Sequence, residues 1–311
     1  MTPEPTQLPA DSEGLPVRRT TGRATWRLAS AAWQASAERA GEWIADPQLI
    51  PAMSLLKRGE RRLVFRLEAR SPDCPEVVVK AFPLATVRQR WKQDKYAPAE
   101  ARNLREAARR GLPVPAVFGL GWRRRFGLVS WNALLLEFVA GRPLRERLAQ
   151  ADADAAVQRG LLWRVLPLFQ KVYETGCNHI DLGPHAILMG ETGAGSGAPD
   201  RLIDFQYCRF QNRPSGETFA RQAGYFGWCL TAHWNLVPKE LVLEWFESLL
   251  CAVGLEARAA VLRESRQSVN GPIQSLDPKT GPDEEQHPVL RPPAALASHP
   301  FPAPGAFLRR P

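Results

Sequence analysis

The sequence predicts an α+β protein of two lobes, because strand-like segments come first along the chain and helix-like segments follow. Alternating or β-branched apolar runs dominate the region before residue 140, and apolar residues at helical spacing dominate the region after it. The chain has 311 residues, 44% of them hydrophobic, which suffices for one large domain or two lobes. We therefore expect a small antiparallel-sheet N-lobe over residues 25–139 and a helical C-lobe over residues 140–267, joined near Glu137–Gly141.

Both ends of the chain differ in composition from this core. Residues 1–24 are polar with several prolines, and we expect them to be mobile. Residues 268–311 hold ten of the 28 prolines and show no hydrophobic periodicity. This composition predicts an extended or disordered tail.

The first lobe is predicted to begin with a helix and to continue with strands. Residues 24–46, "ATWRLASAAWQASAERAGEWIAD", repeat Trp and Ala at helical spacing and predict one amphipathic helix that ends near Gly41 or slightly later. "RRLVFRLEAR" and "EVVVKAF" indicate a hairpin around the turn-rich "SPDCP". "APAEARNLREAARRG" predicts a helix with Pro98 in its first turn and Gly111 at its end. Two more strands are expected around the basic turn "WRRRFG".

The second lobe is predicted to be mostly helical. Residues 152–176 place seven apolar residues on one helical face: Leu161, Leu162, Val165, Leu168, Phe169, Val172 and Tyr173. "CNHIDLGPHAILM" follows, then a Gly-rich turn and the short strand "RLIDF". Helices are expected at roughly 216–234, 238–253 and 255–267.

The charge balance favours an anionic partner. The chain carries 41 Lys and Arg against 32 Asp and Glu, a formal charge of +9, and its basic residues concentrate in the first half. A membrane surface, a phosphorylated substrate and nucleic acid all fit this charge. No zinc-finger spacing, RNA-recognition aromatic signature or basic leucine zipper accompanies it, so we do not expect nucleic acid.

Composition also indicates the compartment. The spacing of the five Cys is not that of a metal site, and it predicts reduced thiols of a cytosolic protein. No apolar run approaches the roughly 18–20 residues that span a bilayer, and the first residues lack the apolar stretch of a secretory signal. We expect a soluble, cytoplasmic protein.

Four charged residues occur in an order typical of phosphoryl transfer from ATP. Lys80 ends the apolar strand "VVVK", Glu100 lies in the first turns of the next helix, Asp181 belongs to "HID", and Asp204 ends the strand "LID". This chemistry needs a strand lysine on the phosphates, a helix glutamate that holds the lysine, a carboxylate for the attacking hydroxyl and a carboxylate for Mg²⁺. Each residue alone has a simpler explanation as a turn, cap or surface charge. Their joint order indicates a kinase.

Two neighbouring residues leave alternatives open. Glu106 competes with Glu100 as the lysine partner, but the two lie about 240° apart around the helix and cannot both face the cleft. Glu100 shares its face with Leu104 and Ala107 and is therefore preferred. His179 is a further catalytic candidate, with a satisfied core histidine as the alternative.

Several segments resemble the bacterial lipopolysaccharide kinase family, the Kdo and core-heptose kinases of the protein-kinase-like superfamily. The resemblance is carried by "LLKRGERRLVFRLEA", "VVVKAF", "AEARNLREAARRGLPVPAVFGLG", "LLLEFVAGRPL", "HIDLGPHAIL" and "LIDF", over roughly residues 54–210. It implies a kinase-like fold, ATP and Mg²⁺ as cofactors, and a cytoplasmic location with peripheral contact to the inner membrane.

The resemblance also implies roles for individual residues. Lys80 matches the phosphate-binding lysine, Glu100 its partner, Asp181 the catalytic base and Asp204 the metal-binding aspartate. Glu137, Phe138 and Val139 match the hinge strand, whose backbone would hydrogen-bond adenine.

Two positions depart from the protein-kinase pattern. "KRGERR" lies where a phosphate-covering loop is expected but contains only Gly59, so its basic residues would either supplement the loop or be solvated. Ala186 occupies the position of the asparagine that holds a second Mg²⁺ in protein kinases. His185 beside it is a metal-ligand candidate, with a hydrogen bond inside the loop as the alternative.

The leading hypothesis is a kinase that phosphorylates a sugar hydroxyl of the lipopolysaccharide inner core, Kdo or heptose. A glycolipid acceptor at an anionic membrane surface would explain the basic first half. One alternative is a small-molecule phosphotransferase, although cationic acceptors need an acidic C-lobe. The other is a catalytically impaired, kinase-like nucleotide-binding scaffold, which Ala186 favours. The sequence does not predict the oligomeric state.

Overall fold

A computed structural model describes residues 15–21, 24–59, 61–69, 75–151, 154–191 and 199–254. The predicted helix at 255–267 and the predicted tail at 268–311 lie outside these ranges. Within them, the predicted α+β architecture of a sheet lobe followed by a helical lobe is confirmed.

The N-lobe is built on one antiparallel sheet of seven strands in the order β1-β2-β6-β7-β5-β4-β3. The strands are β1 Val17–Thr21, β2 Ala24–Leu28, β3 Leu55–Gly59, β4 Arg62–Leu67, β5 Val77–Pro83, β6 Val117–Arg125 and β7 Leu128–Glu137. The predicted β4–β5 pair is present in continuous antiparallel register. The two strands around the basic turn, β6 and β7, are also paired antiparallel, with two shifts of register along the pair.

The start of the chain differs from the prediction. Residues 24–46 are not one helix, because β2 precedes a 3₁₀ turn and α1 begins only at Gln34. Ala24, Trp26 and Leu28 alternate inward, which is a strand period, and the helical spacing read across this stretch was wrong. Strand β1 pairs along the whole of β2, so residues 17–21 also belong to the sheet and not to a mobile terminus.

Three helices flank the sheet: α1 Gln34–Ala45, α2 Val87–Trp91 and α3 Ala97–Arg109. Helix α1 packs on one face, where Trp26, Trp43 and Phe65 form the centre of a buried cluster. Helix α3 lies on the other face, and its apolar residues join a second cluster that continues into the C-lobe. The two lobes therefore share a core through α3.

The C-lobe contains α4 Leu144–Gln150, α5 Ala155–Arg164, α6 Leu166–Glu174, α7 Gly216–Trp228 and α8 Lys239–Ala252. Its short strands are β8 Gly141–Pro143, β9 Cys177–His179, β10 Ile187–Gly190, β11 Arg201–Leu202 and β12 Cys208–Phe210. The single helical face predicted for 152–176 is two helices, because Pro167 lacks the N–H that would continue the α5 hydrogen bonds. Among the described residues, no helix is long and apolar enough to cross a membrane.

Candidate active site

The position of Lys80 follows from the pleat of β5. Val77, Val79 and Ala81 point into the cluster under α1, so the intervening Lys80 points to the opposite face, towards α3. Its side chain is buried, with Nζ 2.6 Å from Oε1 of Glu100 and 2.8 Å from Oδ1 of Asp204. One strand amine therefore joins a carboxylate of the N-lobe to a carboxylate of the C-lobe.

Glu100 is the lysine partner, as the sequence reasoning preferred. It lies in the first turn of α3 and is 1% exposed. Burial raises the pKa of Glu100, and the ammonium of Lys80 opposes that rise. Glu106 instead forms ion pairs with Arg109 and Arg110 on its own helix. Removing one partner of the buried pair would leave an uncompensated charge, which costs about 3–5 kcal/mol in comparable cases.

Asp204 lies at a sharp change of chain direction after β11. Its backbone is left-handed, with φ of 68°, and a 3₁₀ turn over Phe205–Tyr207 follows. Oδ1 accepts from Lys80, and Oδ2 accepts from Nη1 of Arg62 at 2.9 Å. Burial opposes ionisation of this carboxyl, but Lys80 and Arg62 outweigh burial and hold the pKa of Asp204 well below its usual range.

Arg62 reaches this site from the hairpin of β3 and β4. It is paired across the hairpin with Gly59, and its Nη2 also contacts Oε1 of Gln206 at 3.2 Å. The sequence reasoning named Arg62 only as one of four basic residues beside Gly59. Lys57, Arg58 and Arg61 are exposed, so the structure selects Arg62 from the four.

Helix α3 is fastened to the segment that follows Asp204. Nδ2 of Asn103 donates to the carbonyl of Phe205 at 2.8 Å and to that of Cys208 at 2.9 Å. Nη1 of Arg110 donates to the carbonyls of Thr175 and Gln211, both at 2.8 Å. These bonds fix Glu100 relative to Asp204, and the sequence reasoning did not find them.

His179 does not have the catalytic position predicted for it. The side chain is 1% exposed, its Nε2–H donates to the carbonyl of Ile203 at 2.9 Å, and its ring packs edge-on against Phe205. Burial lowers its pKa, which favours the neutral imidazole. A catalytic group must reach the reacting atoms, so His179 is a positioning residue that ties the Asp181 loop to the strand before Asp204.

Asp181 is held at both carboxylate oxygens. Oη of Tyr225 donates to Oδ1 at 2.8 Å, and Nε2 of His185 lies 3.2 Å from Oδ2. Burial opposes ionisation, but the contacts with His185 and Tyr225 lower the pKa of Asp181. The side chain is still 43% exposed, so it remains accessible from solvent. Tyr225 was missed by sequence reasoning, since it lies on α7, 44 residues further along the chain.

His185 contacts the carboxylate of Asp181, and its role as a metal ligand stays a prediction. Its Nε2 faces Asp181, and its ring packs edge-on against Trp234. The alternative interpretation, a contact inside the loop, describes this residue better. Ala186 is fully buried, and its carbonyl accepts from the N–H of Ile203 at 2.9 Å. The loop of Asp181 and the strand of Asp204 are thus bonded side by side.

The predicted hinge residues end β7. The N–H of Glu137 donates to the Ala116 carbonyl at 2.9 Å, and that of Phe138 to the Glu76 carbonyl at 3.4 Å. Among the described residues, the N–H of Val139 has no hydrogen-bond partner in the chain. Of the three predicted hinge residues, Val139 therefore has a backbone N–H that is not used by the described chain.

The charges at this site fit a nucleotide with Mg²⁺. The cations of Lys80 and Arg62 both contact the carboxylate of Asp204. Two neighbouring cations of this kind can also form charge-assisted hydrogen bonds with phosphate oxygens. No cluster of three or more metal-ligating side chains exists in the described part of the chain. Mg²⁺ in ATP-dependent enzymes is commonly held by one or two carboxylates with substrate phosphates, so the role predicted for Asp204 does not require such a cluster.

Comparisons with known proteins agree with this site. Residues 87–222 match the model of the Lipopolysaccharide kinase (Kdo/WaaP) family, a stretch that contains Glu100, Asp181 and Asp204 and begins after Lys80. No curated protein matches the chain. The family match supports a phosphotransferase.

Among solved structures, the chain is similar to one titled "WaaP in complex with acyl carrier protein", with a TM-score of 0.50 and 14% identity. The likeness covers 75% of this chain and 95% of that chain. At this identity it bears on the fold, and together with the sheet lobe and helical lobe it shows a two-lobed protein-kinase-like fold. The predicted resemblance of this chain to the lipopolysaccharide kinase family is therefore confirmed.

Proposed function

We propose that this protein is an ATP-dependent kinase that phosphorylates a sugar hydroxyl of the lipopolysaccharide inner core, on Kdo or a heptose. The observation that carries the proposal is the meeting of Lys80, Glu100 and Asp204, with distances of 2.6 and 2.8 Å at one ammonium, beside the loop of Asp181. The four residues are far apart in sequence, and a purely structural role would not need this combination.

Asp181 is the proposed base. Its lowered pKa keeps it ionised at neutral pH, the form that accepts a proton. The acceptor hydroxyl gives its proton to Asp181 as its oxygen bonds to the γ-phosphorus of ATP. The bond from that phosphorus to the bridging oxygen breaks, and its electron pair leaves with ADP. Tyr225 and His185 hold the carboxylate in one orientation during this transfer.

Lys80 and Arg62 supply the fixed positive charge of the proposed phosphate site. The ion pair with Glu100 fixes the Lys80 side chain, so its ammonium stays on the face of β5 that is directed towards the C-lobe. Mg²⁺, when bound by Asp204 and phosphate oxygens, adds charge that stabilises the transferring group. Asp181 and Asp204 are the two carboxylates that we assign to the proton and to the metal.

Asp181→Asn tests the proposal. The amide keeps the shape but cannot accept the proton, so acceptor-dependent ADP release with core oligosaccharide should fall by about 10²–10⁴-fold. Binding of a fluorescent ATP analogue should remain within about threefold of wild type. Glu244→Gln on α8 is the control and should keep full turnover, because Glu244 forms an exposed ion pair with Arg159 on the surface of the C-lobe.

A catalytically impaired, nucleotide-binding scaffold is the second candidate, and Ala186 favours it. This alanine is fully buried at the position expected for a second metal ligand. A scaffold would bind the ATP analogue while wild type and Asp181→Asn release the same amount of ADP. A small-molecule phosphotransferase would instead release ADP with an amino alcohol or aminoglycoside and not with core oligosaccharide.

We further propose that one edge of the N-lobe contacts an anionic membrane surface. Trp91 on α2 is 78% exposed, and Phe126 at the tip of the β6–β7 hairpin is 88% exposed. The two elements are neighbours, because α2 packs against β7 and the N–H of Leu84 donates to the Ser130 carbonyl at 2.9 Å. We call this edge the basic-aromatic surface; its residues are Val87, Arg88, Trp91, Arg124, Arg125 and Phe126.

The chemistry of the basic-aromatic surface suits a lipid headgroup region. Exposed aromatic rings are favoured at the boundary between water and acyl chains. Each nearby Arg contributes about 1 kcal/mol to binding at an anionic membrane surface. A glycolipid acceptor is itself embedded in such a surface. Peripheral contact would therefore bring the enzyme to its acceptor.

A further inference from the structure

Five aromatic side chains lie next to one another in a row, and the side chains at both ends of the row contact Asp181. We call it the aromatic row; its members are Tyr225, Trp228, His233, Trp234 and His185. Neighbouring ring centroids lie 5.9, 4.9, 4.8 and 5.5 Å apart in that order. The first and last members are the two groups that contact the carboxylate of Asp181.

A local change of helix type builds this row. Helix α7 ends at Trp228 and continues as a π-helical turn over Cys229–His233. The wider turn places residues five apart above one another, so His233 stacks on Trp228 with an interplanar angle of 17°. Such turns occur frequently at functional sites. Here the turn presents rings beside the proposed base.

The aromatic row is not needed to fill the core. Phe226 and Trp245, on α7 and α8, are fully buried and pack against each other inside the C-lobe. His233 is exposed, and Trp228 and Trp234 are only partly buried. Solvent therefore reaches rings that a structural core would enclose.

A cation accompanies the rings. The guanidinium of Arg145, an exposed residue at the start of α4, lies 4.5 Å from the ring centroid of Trp234. Partial burial of the His233 ring, and then the charges of Arg145 and His185, lower the pKa of His233. Arg145 is thus close to the aromatic row as a whole, and its planar guanidinium can bind a carboxylate or phosphate through two N–H groups.

We propose that the aromatic row and Arg145 form the acceptor subsite and bind an anionic sugar next to Asp181. The partly positive C–H face of a pyranose packs on the negative face of an aromatic ring, and the carboxylate or phosphate of the sugar pairs with Arg145. This arrangement presents a sugar hydroxyl to Asp181. The inference rests on the proposed function, because it names the site where that acceptor binds.

Trp234→Ala and Arg145→Gln test the subsite through the kinetics of the acceptor. Each variant should raise the KM for core oligosaccharide about tenfold or more, while the KM for ATP stays within twofold and kcat changes less than KM. Core oligosaccharide with reduced carboxyl groups and core treated with phosphatase identify the anion. The Arg145→Gln effect should disappear with the acceptor that lacks the group bound by Arg145.

The chain offers a matched control. Arg159 on α5 lies 4.4 Å from the ring centroid of Trp163, so this pair reproduces the Arg145–Trp234 contact elsewhere on the C-lobe. Trp163→Ala and Arg159→Gln should leave the KM for the acceptor unchanged. Arg145 is exposed, so its variant should fold even if Trp234→Ala does not.

The outcomes separate the subsite from the proposed function. The subsite is refuted if wild type turns over core oligosaccharide and both Trp234→Ala and Arg145→Gln keep its KM within twofold. Absence of acceptor-dependent ADP release from wild type would refute the proposed function instead. In that case calorimetric titration of core oligosaccharide still tests the subsite. Binding by wild type that is lost in Arg145→Gln supports the subsite. Equal binding by the two proteins, or no binding by wild type, refutes it.

Discussion

Asp204 interacts with two cations at once, one on each carboxylate oxygen. Lys80 contacts Oδ1 at 2.8 Å and Arg62 contacts Oδ2 at 2.9 Å. The same Arg62 guanidinium and the Lys80 ammonium both lie within 6 Å of the Phe82 ring centroid, at 5.8 and 5.7 Å. Because Mg²⁺ needs oxygen ligands, a metal at Asp204 must compete with Arg62. We infer that Arg62 transfers to the phosphates when nucleotide and metal enter.

Arg62→Ala tests this competition. Loss of the cation should weaken binding of ATP about tenfold in EDTA, and should lower the Mg²⁺ concentration needed for half-maximal ATP binding. Titration of a fluorescent ATP analogue, with and without Mg²⁺, measures both effects. Arg61→Ala, at the exposed neighbouring position, is the control. An unchanged Mg²⁺ requirement in Arg62→Ala would contradict the proposed competition.

The site residues that could be predicted were those marked by a pattern in the neighbouring sequence. Lys80 ends a β-branched run, and Glu100 lies on the apolar side of an amphipathic helix, so both could be named from the sequence. Tyr225 and Asn103 could not, because each contact depends on a partner 44 to 105 residues away. His185 was named as a metal-ligand candidate, which stays a prediction, and a hydrogen bond inside the loop was the alternative. Its contact with Asp181 depends on the path of the loop.

Helix α3 connects the sheet to the catalytic loops, and its end is well defined. Gly111 has φ of 83° and donates to Ala108, while Leu112 donates to Ala107, both at 2.9 Å. These two bonds form a Schellman motif, which ends a helix at a left-handed residue. The motif turns the chain towards β6 and leaves Arg110 to bond the C-lobe carbonyls.

Gly111→Ala tests the contribution of this helix end. A side chain at positive φ is strained, so the free energy of unfolding should fall by about 1 kcal/mol or more. Gly160→Ala is the matched control, because Gly160 lies inside α5 with open space around its Cβ position. That change should raise the free energy of unfolding by about 0.5–1 kcal/mol. Urea denaturation of both variants measures the difference, and equal effects would contradict the assignment.

The wrong element predictions have identifiable causes. Over residues 24–28, Trp and Ala recur at spacings that suit a helix as well as a strand. This segment is a strand because β1 and β6 pair with it on either side. A Cβ on Gly121 of β6 would lie 2.5 Å from the Trp26 ring, so a glycine on one strand makes room for a tryptophan on the next. No local period contains that information.

At the scale of the whole molecule, positive charge and exposed aromatic residues coincide on the basic-aromatic surface. The double variant Trp91→Ala/Phe126→Ala should therefore reduce binding to vesicles that contain anionic phospholipid about tenfold or more. Added salt should weaken wild-type binding further, since the arginine contribution is screened. Co-sedimentation with anionic and with neutral vesicles measures both effects.

Met53 provides the control for that experiment, because it is 83% exposed on the segment between α1 and β3. Met53→Ala should bind vesicles like wild type. Binding of the double variant at the wild-type level would exclude the basic-aromatic surface as the membrane contact. Binding to an acidic protein in place of vesicles would point to a different partner for the same surface.

The sequence by itself determined the class of fold and the chemical groups of the site. Strand and helix periods are local, so they fixed the antiparallel N-lobe, α3, α7 and α8, and the order Lys80, Glu100, Asp181, Asp204 indicated phosphoryl transfer. The tertiary structure alone decided which groups meet: Arg62 with Asp204, Tyr225 with Asp181, and Asn103 with the segment after Asp204. These contacts join residues 44 to 142 positions apart. Only tertiary packing brings such distant side chains within hydrogen-bond distance, between the two lobes for Arg62 and Asn103 and inside the C-lobe for Tyr225.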